Sequence, residues 1–526
     1  MVFSTAAEIK RPVRLQEATR EWAYASLYGK YGDDTMKTAY VDLDDIEGFE
    51  GLSVTEKYNR AIRRIAEKAP IRICSEEKIC GAATLGDAIR HLVPARYKGQ
   101  NPFYSVSHLT IRYDKVLKQG LNAYAEDIAK RLKDTSLSEE EILFLHSLEN
   151  VIESIRIWHH RYLTATENRR PDLHRLLHQV PFSPARNFHE ALQSLWFIFA
   201  FVRLCGNWPG IGRLDWLLGD FLEKDLLNGL LTENEARELL ASFFIKGCEW
   251  IRSDPPVGTG DAQHYQNIVL AGINADGNEI TNQVTFLVLD IVEELAISDF
   301  PITVRLNKNT SYALKEKTAQ VMRHGGGIVA IYNEDLILRS LKKLGYADEE
   351  ARCFANDGCW EVQIPGKTNF AYMPFDALQI WNKVTGITTD KIPEYNSIEE
   401  LYSAFRDALY EAVESLYSSH VKSAYICQNG VWQARGGIGP DSVVSLFEDG
   451  CIEHARAYYD CGPEYTVRSP HIGGAPDVAN SLYAVEKLVF EENKVSFSEL
   501  VQILKNNWQD NELLRLYAKN KFVYYG

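Results

Sequence analysis

The sequence predicts an α/β protein, and three observations carry that prediction. Long amphipathic stretches of helical period alternate with short apolar runs that contain glycine. No apolar run is long enough to span a bilayer, so a membrane protein is excluded. The 526 residues are 45% hydrophobic and 25% charged, the balance of a folded chain and not of a disordered one. Length alone leaves the domain count open, because large barrels absorb hundreds of residues in one unit. The pattern shows no low-complexity tract and no internal repeat.

Residues 1–180 read as a mainly helical N-terminal region with proline joints near Pro70, Pro94 and Pro102, which precedes or wraps a core in 181–526. Several helix starts pair a hydroxyl with a carboxylate three residues on: Ser138 with Glu141, Thr232 with Glu235, Ser397 with Glu400, and Ser496 with Glu499. Each pair can satisfy backbone donors that a first helical turn leaves unpaired, and each is structural. Strand signals gather at 267–273, 302–306 and 327–332. Between the last two, a helix begins at Thr310 and ends at His324, where Gly325, Gly326 and Gly327 let the chain turn into the next strand. Those glycines follow a helix and are not succeeded by Gly-Lys-Ser/Thr, so they read as a C-cap and not as a phosphate cradle.

Charge and cysteine usage narrow the function. With 57 Lys plus Arg against 72 Asp plus Glu the formal charge is −15, and no basic patch stands out to bind nucleic acid or an anionic membrane. The nine cysteines include no Cys-x-x-Cys pair, and no histidine completes a zinc or iron–sulfur spacing, so no metal site is expected. Residues 1–5, Met-Val-Phe-Ser-Thr, do not begin an export signal, which places the chain in the cytoplasm with free thiols.

The most unusual segment is 356–367, Asn-Asp-Gly-Cys-Trp-Glu-Val-Gln-Ile-Pro-Gly-Lys, too rich in glycine and proline for a helix. In extended backbone Cys359 and Glu361 would project to one side and Trp360 to the other, setting a sulfur reagent beside a proton-transfer group. A thiolate would need a cationic neighbour, whereas Asp357 and Glu361 disfavour ionisation. A neutral thiol that reacts by losing a hydrogen atom suffers no such penalty.

Residues 181–197, 212–215, 230–236, 272–282, 325–335, 357–361, 480–485 and 488–490, with 69–71 and 79–81 near the start, resemble in order the glycyl radical enzyme family, the group related to pyruvate formate-lyase. The resemblance implies a ten-stranded barrel made of two five-stranded parallel half-barrels surrounded by helices. The segment near 356–367 would be a finger loop enclosed in its interior. Cys359 would form the thiyl radical, and Glu361 would be the general base that family members use in eliminations. Family decarboxylases carry the same carboxylate. Formate lyases have two adjacent cysteines, and Gly358-Cys359-Trp360 does not, which disfavours pyruvate cleavage. Trp360 replaces a smaller aliphatic residue and would fill space behind the finger, the alternative being that it reshapes the pocket. His108 would polarise a leaving hydroxyl, and Asn207, Trp208, His264 and Tyr265 fall in other blocks that line the substrate pocket.

The family's radical is stored on a glycine in a C-terminal domain that this sequence is expected to lack. The stretch 519–526 comes where that domain should begin, and Val467-Arg468-Ser469-Pro470-His471 offers no glycine at the radical position. The resemblance therefore implies the catalytic large subunit of a two-component enzyme, a dehydratase or carbon–heteroatom lyase acting on a small polar metabolite. It binds no cofactor of its own. Its partners would be a small glycyl radical subunit, a radical S-adenosylmethionine activating enzyme acting on that subunit, and a second copy of the large subunit. The alternatives are an arylacetate-type decarboxylase, an inactive paralogue and a truncated chain.

Overall fold

The computed structural model describes residues 9–253, 266–325, 329–428, 431–435 and 441–522. The chain forms two compact units, Met1–Asn369 with Gly437–Thr466 and Phe370–Gly436 with Val467–Gly526. Residues 1–180 fall within the first of these units. The first unit's apolar core runs without a break from Leu15 to Tyr458, so the N-terminal helices and the strands share one interior.

Eight short strands of the first unit pair in parallel. β1 (Val41–Asp42) pairs with β2 (Ala95–Arg96), and β3 (Ser107–Leu109) pairs with β4 (Trp208–Pro209). β5 (Gly212–Arg213), β6 (Ile268–Ala271), β7 (Ile302–Leu306) and β8 (Val329–Asn333) form a four-stranded parallel sheet in that order. Parallel neighbours need crossovers, and helices supply them: Gln283–Leu295 joins β6 to β7, and Tyr312–Met322 joins β7 to β8. All of β6 and most of β7 are buried, which is why both read as continuous apolar runs without alternation.

The helices divide by their sequence pattern. Val54–Lys68 is amphipathic and packs Tyr58, Ala61, Ile62 and Ile65 against the long helix Glu139–Thr166. Phe188–Leu204 is apolar almost all round, and every residue except His189 is buried, so it runs through the interior. The capping boxes form as expected at Ser138/Glu141, Thr232/Glu235 and Ser496/Glu499. At Ser397 only half of one forms, because the Glu400 carboxylate accepts from the Asn396 amide instead. The helix expected from Thr310 begins later, capped by Ser311, while the Thr310 hydroxyl accepts from the Asn307 amide in the preceding turn. Gly325 is left-handed, with φ 73°, as a helix terminator requires, and Gly326 and Gly327 lie outside the described residues.

The second unit has its own core around Trp381, Phe405, Leu488 and Leu500. It holds the helices Ala377–Val384, Ile398–Leu416, Ala475–Val485, Phe497–Lys505 and Glu512–Lys521. Among the described residues no helix is long and apolar enough to cross a membrane.

A buried ionic cluster ties the segment around residue 77 to the helix Glu233–Lys246. Lys246 Nζ lies 2.6 Å from Glu77 and 3.4 Å from Glu249, and Arg72 lies 3.1 Å from Glu249. Two cations balance two carboxylates. Replacing Lys246 by alanine leaves a buried carboxylate uncompensated and is expected to cost about 3–5 kcal/mol. A thermal melt should show this as a marked fall in Tm, and an unchanged Tm would mean that the cluster contributes nothing.

Candidate active site

Two short antiparallel strands, β9 (Ala355–Asp357) and β10 (Glu361–Gln363), pair Asp357 with Glu361 and leave Gly358, Cys359 and Trp360 as the tip of a hairpin. The Trp360 amide donates to the Asp357 carbonyl at 2.9 Å, closing the turn. The expected extended backbone through Cys359 is therefore corrected. Gly358 has φ 51° and Trp360 φ 82°, so the alternation argument does not apply. Cys359 still meets Glu361, because the two flank a reversal of the chain. The strained conformation of Trp360 is held by Tyr332, at the end of β8, whose hydroxyl donates to the Trp360 carbonyl.

Asp357 fastens the hairpin to the rest of the unit. Its carboxylate accepts from Thr110 Oγ1 at 2.7 Å, from the Gly210 amide at 2.8 Å and from the Gly358 amide at 2.5 Å. Burial pushes its carboxyl well above the usual range, and the Glu361 charge pushes the same way against those three hydrogen bonds. On the other side Asn267 Nδ2 donates to the Gly358 carbonyl at 3.2 Å.

His108, on β3, completes the group. Its carbonyl accepts from Gln363 Nε2 at 2.7 Å, its Nδ1 lies 2.7 Å from Ser107 Oγ, and its Nε2 lies 3.9 Å from Cys359 Sγ. The His108, Cys359 and Glu361 ligand atoms all lie within 4.8 Å of one another. Glu361 is 6% exposed, and that burial lifts its carboxyl to about 7, opposed by hydrogen bonds to its own and the Cys359 amides. A carboxylate poised near neutrality suits proton transfer at physiological pH.

The expected enclosure of the sulfur is also corrected. Cys359 is exposed in this chain, while Glu361 and His108 beside it are buried. An apex side chain has the turn's backbone behind it, and the packing that buries its neighbours does not have to close in front of it.

Gly358 makes the assembly possible. A Cβ there would stand 2.0 Å from His108 Cδ2 and 2.7 Å from Glu361 Oε2. Gly358→Ala is expected to push the imidazole and the finger apart by about an ångström, which is enough to cost about 10²-fold in kcat/KM. The circular dichroism spectrum should be unchanged. Full activity in this variant would show that the contact is dispensable.

The other expected pocket residues fare differently. Trp208 pairs in register with Ser107, one residue from His108, yet its indole stacks on His91 at 3.4 Å, lies under the Arg203 guanidinium at 3.7 Å and donates to the Ala88 carbonyl. Asn207 is buried, and its Oδ1 accepts from the Val106 amide. Both take part in the packing beside β3 and β4. His264 and Tyr265 lie outside the described residues. Sequence reasoning missed Asp357 as a clamp, Tyr332, Asn267 and Gln363. Only Asp357 carried a signal, as a carboxylate directly before a Gly-Cys turn.

The pyruvate formate lyase-like family matches residues 94–526, most of the chain. The chain belongs to that family. Trans-4-hydroxy-L-proline dehydratase of Clostridioides difficile is 28% identical over 373 residues, 66% of this chain and 46% of that protein. Isethionate sulfite-lyase of Nitratidesulfovibrio vulgaris is 26% identical over 459 residues, 78% of this chain and 54% of the other. A solved structure concerned with 1,2-propanediol dehydration in Roseburia inulinivorans superposes with a TM-score of 0.76 at 23% identity, covering 97% of this chain and 75% of that one. The fold of this family member is thus the α/β barrel architecture of the glycyl radical enzymes. Among the described residues its parallel ladders occupy eight strands, in sets of two, two and four. The chain spans about half the length of the curated relatives it matches.

Proposed function

We propose that this chain is the catalytic large subunit of a glycyl radical lyase, a dehydratase or carbon–heteroatom lyase acting on a small polar metabolite. The observation that carries the reading is the meeting of Cys359, Glu361 and His108 at the finger tip, with Glu361 lifted to about 7. A glycyl radical, when supplied, provides the unpaired electron that this chemistry needs. The exposed apex position of Cys359 fits it, since a second polypeptide segment can approach the sulfur.

As a thiyl, Cys359 takes a hydrogen atom from a hydroxyl-bearing substrate carbon. The resulting radical is far more acidic at its hydroxyl, and Glu361 accepts that proton. The neighbouring leaving group departs with its bonding electron pair, and in this reading His108, once protonated, delivers a proton to that group. The product radical recovers a hydrogen atom from the Cys359 thiol, so dehydration loses one water with no net oxidation.

The radical source in this reading is a small glycyl radical chain, charged by a radical S-adenosylmethionine activating enzyme. The large subunit pairs with itself. Exclusion of oxygen is required, because an open thiyl reacts with it. The test is anaerobic reconstitution of the chain with such a glycyl chain and activase, followed by product analysis on diols, hydroxylated amino acids and arylacetates. Loss of water or of another heteroatom group supports the reading. Carbon dioxide release from arylacetates would assign the chain to decarboxylation, and silence on every substrate beside an intact glycyl radical would mark an inactive paralogue.

A further inference from the structure

We infer that His108, Cys359 and Glu361 form a binding site for a thiophilic divalent metal ion, with zinc the best match, and that the bound ion holds the chain catalytically silent. The three side chains offer one nitrogen, one sulfur and one oxygen, all within 4.8 Å of one another. Zinc bonds of about 2.0–2.1 Å to nitrogen and about 2.3 Å to sulfur place those two atoms about 3.6 Å apart in a tetrahedral site. The observed separation of Nε2 and Sγ is 3.9 Å, so closure onto an ion needs a shift of only a few tenths of an ångström.

The surroundings favour the same occupant. Ser107 Oγ, 2.7 Å from His108 Nδ1, orients the ring, and in the tautomer in which Nδ1 donates to it Nε2 keeps its lone pair on the side of the sulfur. Three protein ligands with the sulfur exposed leave a fourth position for water, the pattern of an open zinc site. A mixed nitrogen, sulfur and oxygen set selects a borderline-soft ion over magnesium or calcium. A second triad, Cys74, Glu77 and Glu249, is equally compact, but the Lys246 ammonium lies 2.6 Å and 3.4 Å from its carboxylates and already supplies the cation. The pair His174 and His178, with Nε2 atoms 3.0 Å apart, offers nitrogen alone.

Binding exchanges the thiol proton for the ion. A sulfur–metal bond forms, the S–H bond breaks heterolytically, the proton passes to buffer, and nothing is oxidised or reduced. A metal-bound sulfur has no hydrogen atom to give up, and a coordinated Glu361 oxygen accepts no proton. This silencing rests on the function proposed above, whereas the binding rests on geometry alone.

The experiment titrates CoCl2 into the metal-depleted full chain under anaerobic conditions, in a His178→Ala background that removes the nitrogen-only pair. One equivalent is expected to develop a thiolate-to-cobalt charge-transfer band with the visible bands of four-coordinate cobalt, and ZnCl2 should erase them. Cys359→Ala should abolish the band, and His108→Gln and Glu361→Gln should each weaken cobalt binding by more than about tenfold. Circular dichroism establishes that each variant is folded, and Cys359→Ser stands in should the alanine variant fail to fold. Survival of the band without Cys359 would move the metal to another thiol, such as exposed Cys427, and overturn the site. Unchanged affinity in both ligand variants would reduce it to a lone cysteine and overturn it equally. In the reconstituted enzyme, one equivalent of ZnCl2 should stop turnover, and turnover that continues in the zinc-loaded chain would overturn the silencing. Cobalt binding without turnover on any substrate would instead sink the proposed function and leave the metal site standing.

Discussion

Cys359→Ala is expected to abolish turnover in the reconstituted enzyme, leaving only the uncatalysed rate. No neighbouring group can replace the sulfur, because hydrogen-atom transfer needs an S–H bond, and the O–H bond of serine is too strong for the same exchange. Cys359→Ser should therefore be equally inactive despite its similar shape. Because the residue is exposed at a hairpin apex, the substitution should change stability by no more than about 0.5 kcal/mol. The decisive measurement is product formed per glycyl radical, with the radical counted by electron paramagnetic resonance. A normal radical signal without product places the loss at Cys359, and any turnover above background would remove the residue from the reaction.

Glu361→Gln should lower kcat by about 10²–10⁴-fold, the usual contribution of a positioned general base. The wild-type pH profile carries the sharper signature. With the carboxyl lifted to about 7, kcat/KM should rise through neutrality as the base ionises and level off above it, and the glutamine variant should be flat over that range. The same shift fixes a stability sign. Between the ordinary value of 4.5 and about 7 the folded chain binds more protons than the unfolded one, so stability falls as pH rises through that window and stays at the lower level above it. Removing the charge removes that penalty, and Glu361→Gln should melt above the wild type at pH 8. A variant both less active and less stable there would contradict the burial that poises this carboxylate.

Much of the architecture was legible because it is written in local terms. β6 and β7 appear where continuous apolar runs announce buried parallel strands, and three of four capping boxes form because a hydroxyl and a carboxylate three residues apart need only a helix between them. The start of the helix at Ser311 went unread because Thr310 and Ser311 are equivalent by type, and the preceding turn decides which of them caps. The finger was readable as a chemical segment and misread as a conformation. Gly358 and Trp360 both adopt positive φ, and Tyr332, from a strand nearly thirty residues away, holds the Trp360 carbonyl in that conformation.

By itself the sequence determined the α/β class, the family and the pairing of a cysteine with a carboxylate two positions on, since composition, periodicity and short motifs are properties of neighbouring residues. Only the tertiary structure decided that His108 meets Cys359 across 251 positions, that Asp357 clamps the hairpin to Thr110 and Gly210, and that Trp208 stacks on His91 beside Arg203. Those meetings depend on which parallel strands lie side by side and on a missing Cβ at Gly358. Strand order and close backbone approach are settled by the packing of the whole core, and no local pattern encodes them.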